Sequence, residues 1–471
     1  MSNISVTTHG VLVTGLEGRI VPIKVEYEPG GLPALDIHGG KEANARDARV
    51  RVRSALDSIK HPLAGRAKVV IPDDADAGLD LPIALACLIA MGVVPNPSHG
   101  VVAFGEVSLM GAIRPVRGAF NRLEAIQAKG HYALLPKASA HEAWDGPPFH
   151  AAADLAEALY ILAEPAPSWP EDRRSTHGRP TDQHDFSQVH PRNPARRGLE
   201  IAAVGGHNVL MTGQPGTGGI MFARRMTSIL PPMTLDERRE VTRIQSVAGI
   251  HPDYGQISIR PFRAPHHTVS EAGLLGGGHP ARPGEVTLAH HGVLLLDEAP
   301  EFRRTCLDWL VSALRVGHSN VTRASSFVKF PAAPMVIAAM NPCPCSRTPC
   351  VCRPERATTY RERLGTLLPM LPVRLRLAPW DHAGPGNGGE SSAVIQARVV
   401  AARAFGAART GKALDGSTWT LLKRLRTPGM IAVARTIADM DRSGAILQRH
   451  GEEAEALFHD YAPVAHRHAT A

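Results

Sequence analysis

The chain has 471 residues, 44% of them hydrophobic and 20% charged, with a formal net charge of +8 and a pI near 9.4. That is the balance of a globular protein with room for roughly two to four domains, and it excludes disordered and fibrous classes. The basic charge makes nucleic acid a candidate partner. No run approaches the ~20 apolar residues of a membrane-spanning helix, and Met1-Ser2-Asn3-Ile4-Ser5 lacks the basic and apolar regions of a secretion signal. Four of the six cysteines crowd into ten residues, unlike a secreted disulfide framework, so a cytoplasmic location is expected.

Strand-like and helical signals alternate through the first 163 residues. Segments 11–16 and 20–27 read as strands followed by the turn Pro29-Gly30-Gly31. Segment 43–59 carries apolar positions at helical spacing with arginines on its other face, 68–72 is a short β-branched run, and 79–91 is an apolar helix. Segments 101–104 and 107–109 read as strands, 118–129 as a helix stopped by Gly130, and Ala133-Leu134-Leu135-Pro136 as another strand. The result is an α/β or α+β domain with its own core. Residues 164–184 are rich in proline and charge without apolar periodicity, which predicts an interdomain linker.

The second domain begins at 185, and a helix is expected over 194–204. Val209-Leu210-Met211-Thr212 is an apolar run that enters Gly213-Gln214-Pro215-Gly216-Thr217-Gly218-Gly219-Ile220 and then the helix-compatible Met221-Phe222-Ala223-Arg224-Arg225-Met226. Strand, glycine-rich turn and helix form a phosphate-binding loop, whose backbone N–H groups and helix N-terminus face an anion. Farther on, Val293-Leu294-Leu295-Leu296-Asp297-Glu298 is a buried strand ending in two carboxylates. These suit a magnesium-holding Asp297 and a water-activating Glu298. The loop departs from the pattern G-x-x-x-x-G-K-[ST] at its last two positions. Gly219 stands where a lysine would reach the β/γ-phosphates, and Ile220 where a hydroxyl would ligate magnesium.

His266-His267 and His290-His291 lie in Pro/Gly-rich segments; they invite a metal reading, against which stands capping or solvation. Segment 302–314 is an amphipathic helix, and the buried strand 335–340 ends at Asn341. Cys343-Pro344-Cys345-Ser346-Arg347-Thr348-Pro349-Cys350-Val351-Cys352 has the spacing C-x-C-x4-C-x-C. Four thiolates on such a loop could close a tetrahedral zinc site, the alternative being reduced loop cysteines. A Gly/Pro-rich break at 379–389 precedes helices expected at 391–408 and 421–426.

Several stretches together resemble one family. Segment 105–118 (Gly-Glu-Val-Ser-Leu-Met-Gly-Ala-Ile-Arg-Pro-Val-Arg-Gly), Arg260-Pro261-Phe262-Arg263-Ala264-Pro265-His266-His267-Thr268-Val269-Ser270 and Arg282-Pro283-Gly284-Glu285-Val286-Thr287-Leu288-Ala289-His290-His291-Gly292 look like the ComM/YifB family, the magnesium-chelatase-like AAA+ proteins. The resemblance implies an α/β fold with a Lon-protease-like N-terminal domain over 1–163, a linker over 164–184, an AAA+ P-loop parallel-sheet core with chelatase-type insertions over 185–378, and a helical lid over 379–471. It implies ATP and Mg2+ as cofactors, bound through Gly213, Pro215, Gly216, Thr217, Gly218, Gly219, Ile220 and Asp297. Catalytic roles fall to Glu298, to Asn341 as the water-orienting sensor, and to Arg435 in segment 430–440 as the second sensor. It also implies a hexameric ring and ATP-driven DNA branch migration in recombination and natural transformation.

Against that pattern, Leu364-Gly365-Thr366-Leu367-Leu368-Pro369-Met370-Leu371-Pro372 occupies the place of Ser-Gly-Pro-Leu-Leu-Asp-Arg-Ile-Asp, so Pro369-Met370 replaces the Asp-Arg that carries the arginine finger. Asp80 and Phe120-Asn121-Arg122 stand where the Lon peptidase dyad would need serine and lysine, which implies a scaffold or docking domain. The expectation is therefore weak ATP binding with little or no hydrolysis, and action through DNA or through mixed rings with an intact family member. The alternative is a chelatase I-type motor subunit.

Overall fold

The computed structural model describes residues 3–459 apart from 98–99, 144–145, 164–183, 190–194, 252–256, 279, 324–325, 348–349, 378–388, 410–424 and 426. The expected linker, except His184, and the expected helix at 421–426, except Leu425, lie outside the described residues. The chain divides into two compact units, Met1–Arg179 with Arg238–Ile257 and Pro180–Glu237 with Ser258–Ala471.

The first unit is built on strands β1 (Ile4–Thr14), β2 (Glu17–Glu28), β3 (Ala34–His38), β4 (Arg66–Val70), β5 (Val101–Ala103), β8 (Tyr132–Pro136) and β9 (Phe149–Ala152); a separate two-stranded ribbon pairs β6 (Glu106–Val107) with β7 (Ile113–Arg114). The seven-stranded sheet has the order β3-β4-β2-β1-β5-β8-β9. β1 and β2 pair antiparallel from Ile4↔Tyr27 to Thr14↔Glu17. Gly15, with φ +65°, makes the tight turn between them. The remaining pairings on the β5 side are parallel. Both strands of the hairpin extend beyond their apolar stretches, because backbone pairing continues through the polar ends.

The period of two sorts neighbouring residues to opposite faces. Leu12 and Leu134 join one core with α1 (Glu42–Ser58) and α2 (Asp80–Ala90). Val11, Ala133 and Leu135 join the other with α3 (Ala119–Gln127). Every residue of α2 is buried, including Asp80, whose carboxylate meets Arg51 Nε at 2.6 Å and accepts Val107 N–H at 3.3 Å. Arg122 is 1% exposed, donates to Val11 O and Asp76, and lies over the Phe104 ring. The two positions compared with a peptidase dyad thus carry structural ion pairs. After α4 (Leu155–Ala163), the chain returns to this unit in α7 (Leu235–Ala248). There Ser246 Oγ donates to the buried Glu142 carboxylate and accepts Phe120 N–H at 3.2 Å. Burial pushes the Glu142 pKa up. Hydrophobic periodicity gave no sign of this return.

The second unit opens with α5 (Ala195–Gly205), β10 (Val209–Thr212) and α6 (Gly219–Ile229). Its sheet adds β11 (Phe262–Arg263), β14 (Val293–Leu296), β17 (Met335–Met340) and β18 (Val373–Arg376), in the order β11-β14-β17-β10-β18, all neighbours parallel. Continuous apolar runs suit strands covered on both faces. Val209, Met211, Ile337 and Val373 pack with α5, α6, α12 (Ser392–Ala408) and the helix Pro428–Met440, while Leu210, Leu294, Val336 and Ala338 pack toward α10 (Arg304–Val316). The segments compared with a separate lid lie in this same unit. Asp185 anchors the start of α12. Its carboxylate accepts Ser392 N–H at 3.1 Å, and its carbonyl accepts Arg225 Nε at 3.0 Å. Among the described residues no helix is long and apolar enough to cross a membrane.

Candidate nucleotide-binding site

β10 is the first strand of its sheet in the chain and lies between β17 and β18, the fourth and fifth. Ligands of open parallel sheets bind beyond the strands' carboxyl ends at such a reversal of order. A cavity of about 690 Å³ opens there, lined by the loop Gly213 to Gly219, by Ile220 and Arg224 of α6, and by Asp297, Glu298, Met340 and Asn341. Gly213 N–H donates to Met340 O at 3.1 Å and Leu377 N–H to Thr212 O at 2.8 Å, which tie the loop to its neighbours. Thr217 is buried, and its hydroxyl donates to Gln214 O at 2.8 Å. Gly216 and Gly218 adopt φ +83° and +87°, a conformation in which a Cβ would be strained. Gly218 is the N-cap of α6, and Gly219, Ile220 and Met221 of that helix's first turn, where backbone N–H groups have no intrahelical acceptor, line the cavity.

The structure brings all the loop residues, Asp297, Glu298 and Asn341 into this one cavity. Asp297 Oδ1 accepts Glu298 N–H at 3.1 Å, and partial burial raises its pKa. Glu298 has φ +50°, in the left-handed region. Its Oε2 lies 3.3 Å from His267 Nδ1. Such an outlier beside a cavity is the kind of strain that persists where function requires it. Arg435 is not among the cavity's lining residues. Its guanidinium donates to Asp439 at 3.1 Å, Ser443 O at 2.7 Å and Gly444 O at 3.0 Å, tying the segment that follows its own helix back onto that helix.

Gly219 and Ile220 are the first two residues of α6. A Cβ on Gly219 would meet Leu377 and Ala339 at ordinary contact distances of 3.6 and 3.7 Å, so glycine is not dictated by space. Ile220 is 45% exposed. The cavity and the backbone donors fit a nucleotide's phosphates, and Asp297 is a suitable magnesium ligand. The amine and hydroxyl that complete the pattern are missing from the side chains at 219 and 220. The sequence alone assigns no part at this site to His267, His184 or Arg224. His184 and Arg224 line the cavity, and the Arg224 guanidinium sits 5.2 Å from the centre of the Phe262 ring. Only folding brings these residues to the strand tips.

The paired histidines are engaged within the protein. His266 Nδ1 lies 2.8 Å from Thr268 Oγ1, and His290 Nδ1 accepts Ala333 N–H at 3.0 Å. Pro369 and Met370 lie in the short 3-10 segment Gly365–Met370. Arg374 lies over the Phe458 ring, 3.9 Å from its centre.

The strand order, the glycine loop and the paired carboxylates define an AAA+-type P-loop protein. The family model for magnesium chelatase, subunit ChlI, matches residues 185–378, and that for subunit ChlI of Mg-chelatase matches residues 23–139. YifB of Escherichia coli K12, uncharacterised, is 33% identical over 92% of this chain and 93% of its own length. The competence protein ComM of Haemophilus influenzae is 32% identical over 93% of this chain and 94% of its own. The chain belongs to the ComM/YifB family of magnesium-chelatase-like proteins.

Proposed function

We propose that this chain is a ring-forming, ComM-like AAA+ protein whose nucleotide site binds ATP weakly and hydrolyses it little or not at all. The observation that carries this reading is the pairing, in one cavity, of Asp297, Glu298 and Asn341 with Gly219 and Ile220 at the helix start. The backbone cradle would hold the phosphates, Asp297 would hold Mg2+, Glu298 would accept a proton from the attacking water, and Asn341 would orient that water. Mg2+ supplies charge neutralisation on the phosphates. Without a lysine at 219 much of the developing γ-phosphate charge goes unmet, and Pro369-Met370 offers a neighbouring subunit no arginine.

Action in this reading comes through contacts rather than turnover: with DNA in recombination or competence, to which the net charge of +8 and the competence relative lend support, and with copies of itself or an intact family member in a cytoplasmic hexameric ring. A Lon-like scaffold role for the first unit fits the ion pairs of Asp80 and Arg122. The second reading, a chelatase I-type motor subunit, is favoured by the chelatase model over 185–378; co-purification with a large porphyrin-binding subunit would select it. The first reading is tested by steady-state ATPase assays of the purified chain with and without branched DNA. Little or no turnover is expected, and turnover equal to that of a relative with lysine and threonine at 219 and 220 would reject it. None of this depends on a metal at the cysteine loop.

A further inference from the structure

The loop that follows Asn341 gathers four sulfurs. Cys343 Sγ lies 3.2 Å from Cys345 Sγ and 3.2 Å from Cys350 Sγ, and Cys345 and Cys350 are 3.7 Å apart. With Cys352 all the ligand atoms fall within 4.8 Å of one another. Four thiolates about 2.3 Å from a tetrahedral metal stand about 3.8 Å from each other, a spacing that the Cys345–Cys350 pair nearly matches and to which the two 3.2 Å pairs would open by about 0.6 Å. All four cysteines are free thiols, and among the described residues neither a carboxylate nor an imidazole joins the group. A purely sulfur donor set selects a soft or borderline cation and disfavours magnesium or calcium.

The backbone is folded around these sulfurs as well. Ser346 has φ +53°. Ser346 N–H donates to Cys343 O at 3.4 Å, and Cys352 N–H donates to Cys350 Sγ at 3.4 Å. Amides turned onto sulfur stabilise thiolate charge and fix ligand direction, as the outer shell of a metal centre does. The loop also joins two parts of the nucleotide site's support. It leaves β17 at Asn341, and Arg361 of α11 (Pro354–Glu362) returns to it, donating to Pro342 O at 3.2 and 3.3 Å.

We propose that Cys343, Cys345, Cys350 and Cys352 bind a structural Zn2+ that staples the connection between Asn341 and α11. Zinc replaces up to four thiol protons, which pass to solvent, and no redox change is involved. The metal fixes the backbone at the tip of β17 whether or not the chain turns over nucleotide.

The test uses the full chain, purified under reducing conditions without chelator. Elemental analysis is expected to find stoichiometric zinc, absent from Cys345→Ser and Cys352→Ser and retained by Cys306→Ala, whose sulfur lies in α10. Exchange with Co2+ is expected to give the intense visible bands and thiolate-to-metal charge-transfer absorption of a tetrahedral sulfur site. Chelation is expected to lower the melting temperature by several degrees. Zinc-free protein that takes up no Co2+, zinc that survives both serine substitutions, or identical melting with and without metal would each overturn the proposal. If a serine variant does not fold, the cobalt spectrum of the unsubstituted chain still decides. Nucleotide affinity, titrated separately, bears only on the ATP reading, so either conclusion can fail alone.

Discussion

Glu298 Oε2 lies 3.3 Å from His267 Nδ1, and the same glutamate has a left-handed backbone at φ +50°. The carboxylate that ends β14 is thus held by a ring from the β11–α8 connection (α8 being Glu271–Leu275) and carries backbone strain. A left-handed residue with a Cβ costs roughly 1–2 kcal/mol. Glu298→Gly should therefore raise the stability of the second unit by about 1 kcal/mol while removing the candidate base. Urea midpoints would check this; a lower midpoint would mean the strain is not real.

Restoring the phosphate grip is the most direct test of the site. Gly219 has room for a side chain, and a charge-assisted hydrogen bond contributes about 1.5–3 kcal/mol. The double substitution Gly219→Lys, Ile220→Thr should tighten ATP binding roughly ten- to a hundred-fold, read by fluorescent-nucleotide titration. Unchanged affinity would show that the loop's backbone does not face the phosphates.

In that restored background, Glu298→Gln should lower turnover by about 10²–10⁴, the range for loss of a general base, with ATP affinity nearly unchanged. A parallel loss of affinity would instead assign Glu298 to ground-state binding.

Burial lowers the His207 pKa from 6.5 to about 4, and its Nε2 lies 2.8 Å from Thr436 Oγ1. Between those values the unfolded chain binds more protons than the folded one, so stability rises with pH across the window and is lost as pH falls from 6.5 towards 4. The depression corresponds to about 3 kcal/mol at most. His207→Gln should flatten the stability–pH profile of the second unit between those limits, as followed by urea midpoints at successive pH values. An unaltered slope would assign acid sensitivity to other groups.

Arg122 is fully buried, with Val11 O and the Asp76 carboxylate as acceptors. Removing the guanidinium leaves the Val11 carbonyl without this donor, which costs about 1–3 kcal/mol, while Asp76, whose side chain is 43% exposed, is taken up by water. Arg122→Ala should destabilise the first unit by that order in thermal or urea unfolding, and a change below 1 kcal/mol would mean water replaces the guanidinium easily.

Local chemistry makes the nucleotide loop legible in the amino-acid sequence alone. Glycines at 213, 216 and 218 between an apolar strand and a helix, and two carboxylates ending another apolar run, follow from short-range rules of backbone freedom and burial. So do the four sulfurs at one-residue spacing and most strands of both sheets. Other features depend on distant segments meeting, and no periodicity encodes that. The return of 238–257 to the first unit is one; His267 at Glu298 and Arg224 over Phe262 are others. Arg435 illustrates the limit in reverse: its helix is legible, but the fold aims its guanidinium at Ser443, Gly444 and Asp439. Sequence determined which groups could bind a phosphate or a metal. Tertiary packing decided which of them share a cavity, because side-chain direction is set by the sheet order and by the helices that cover it.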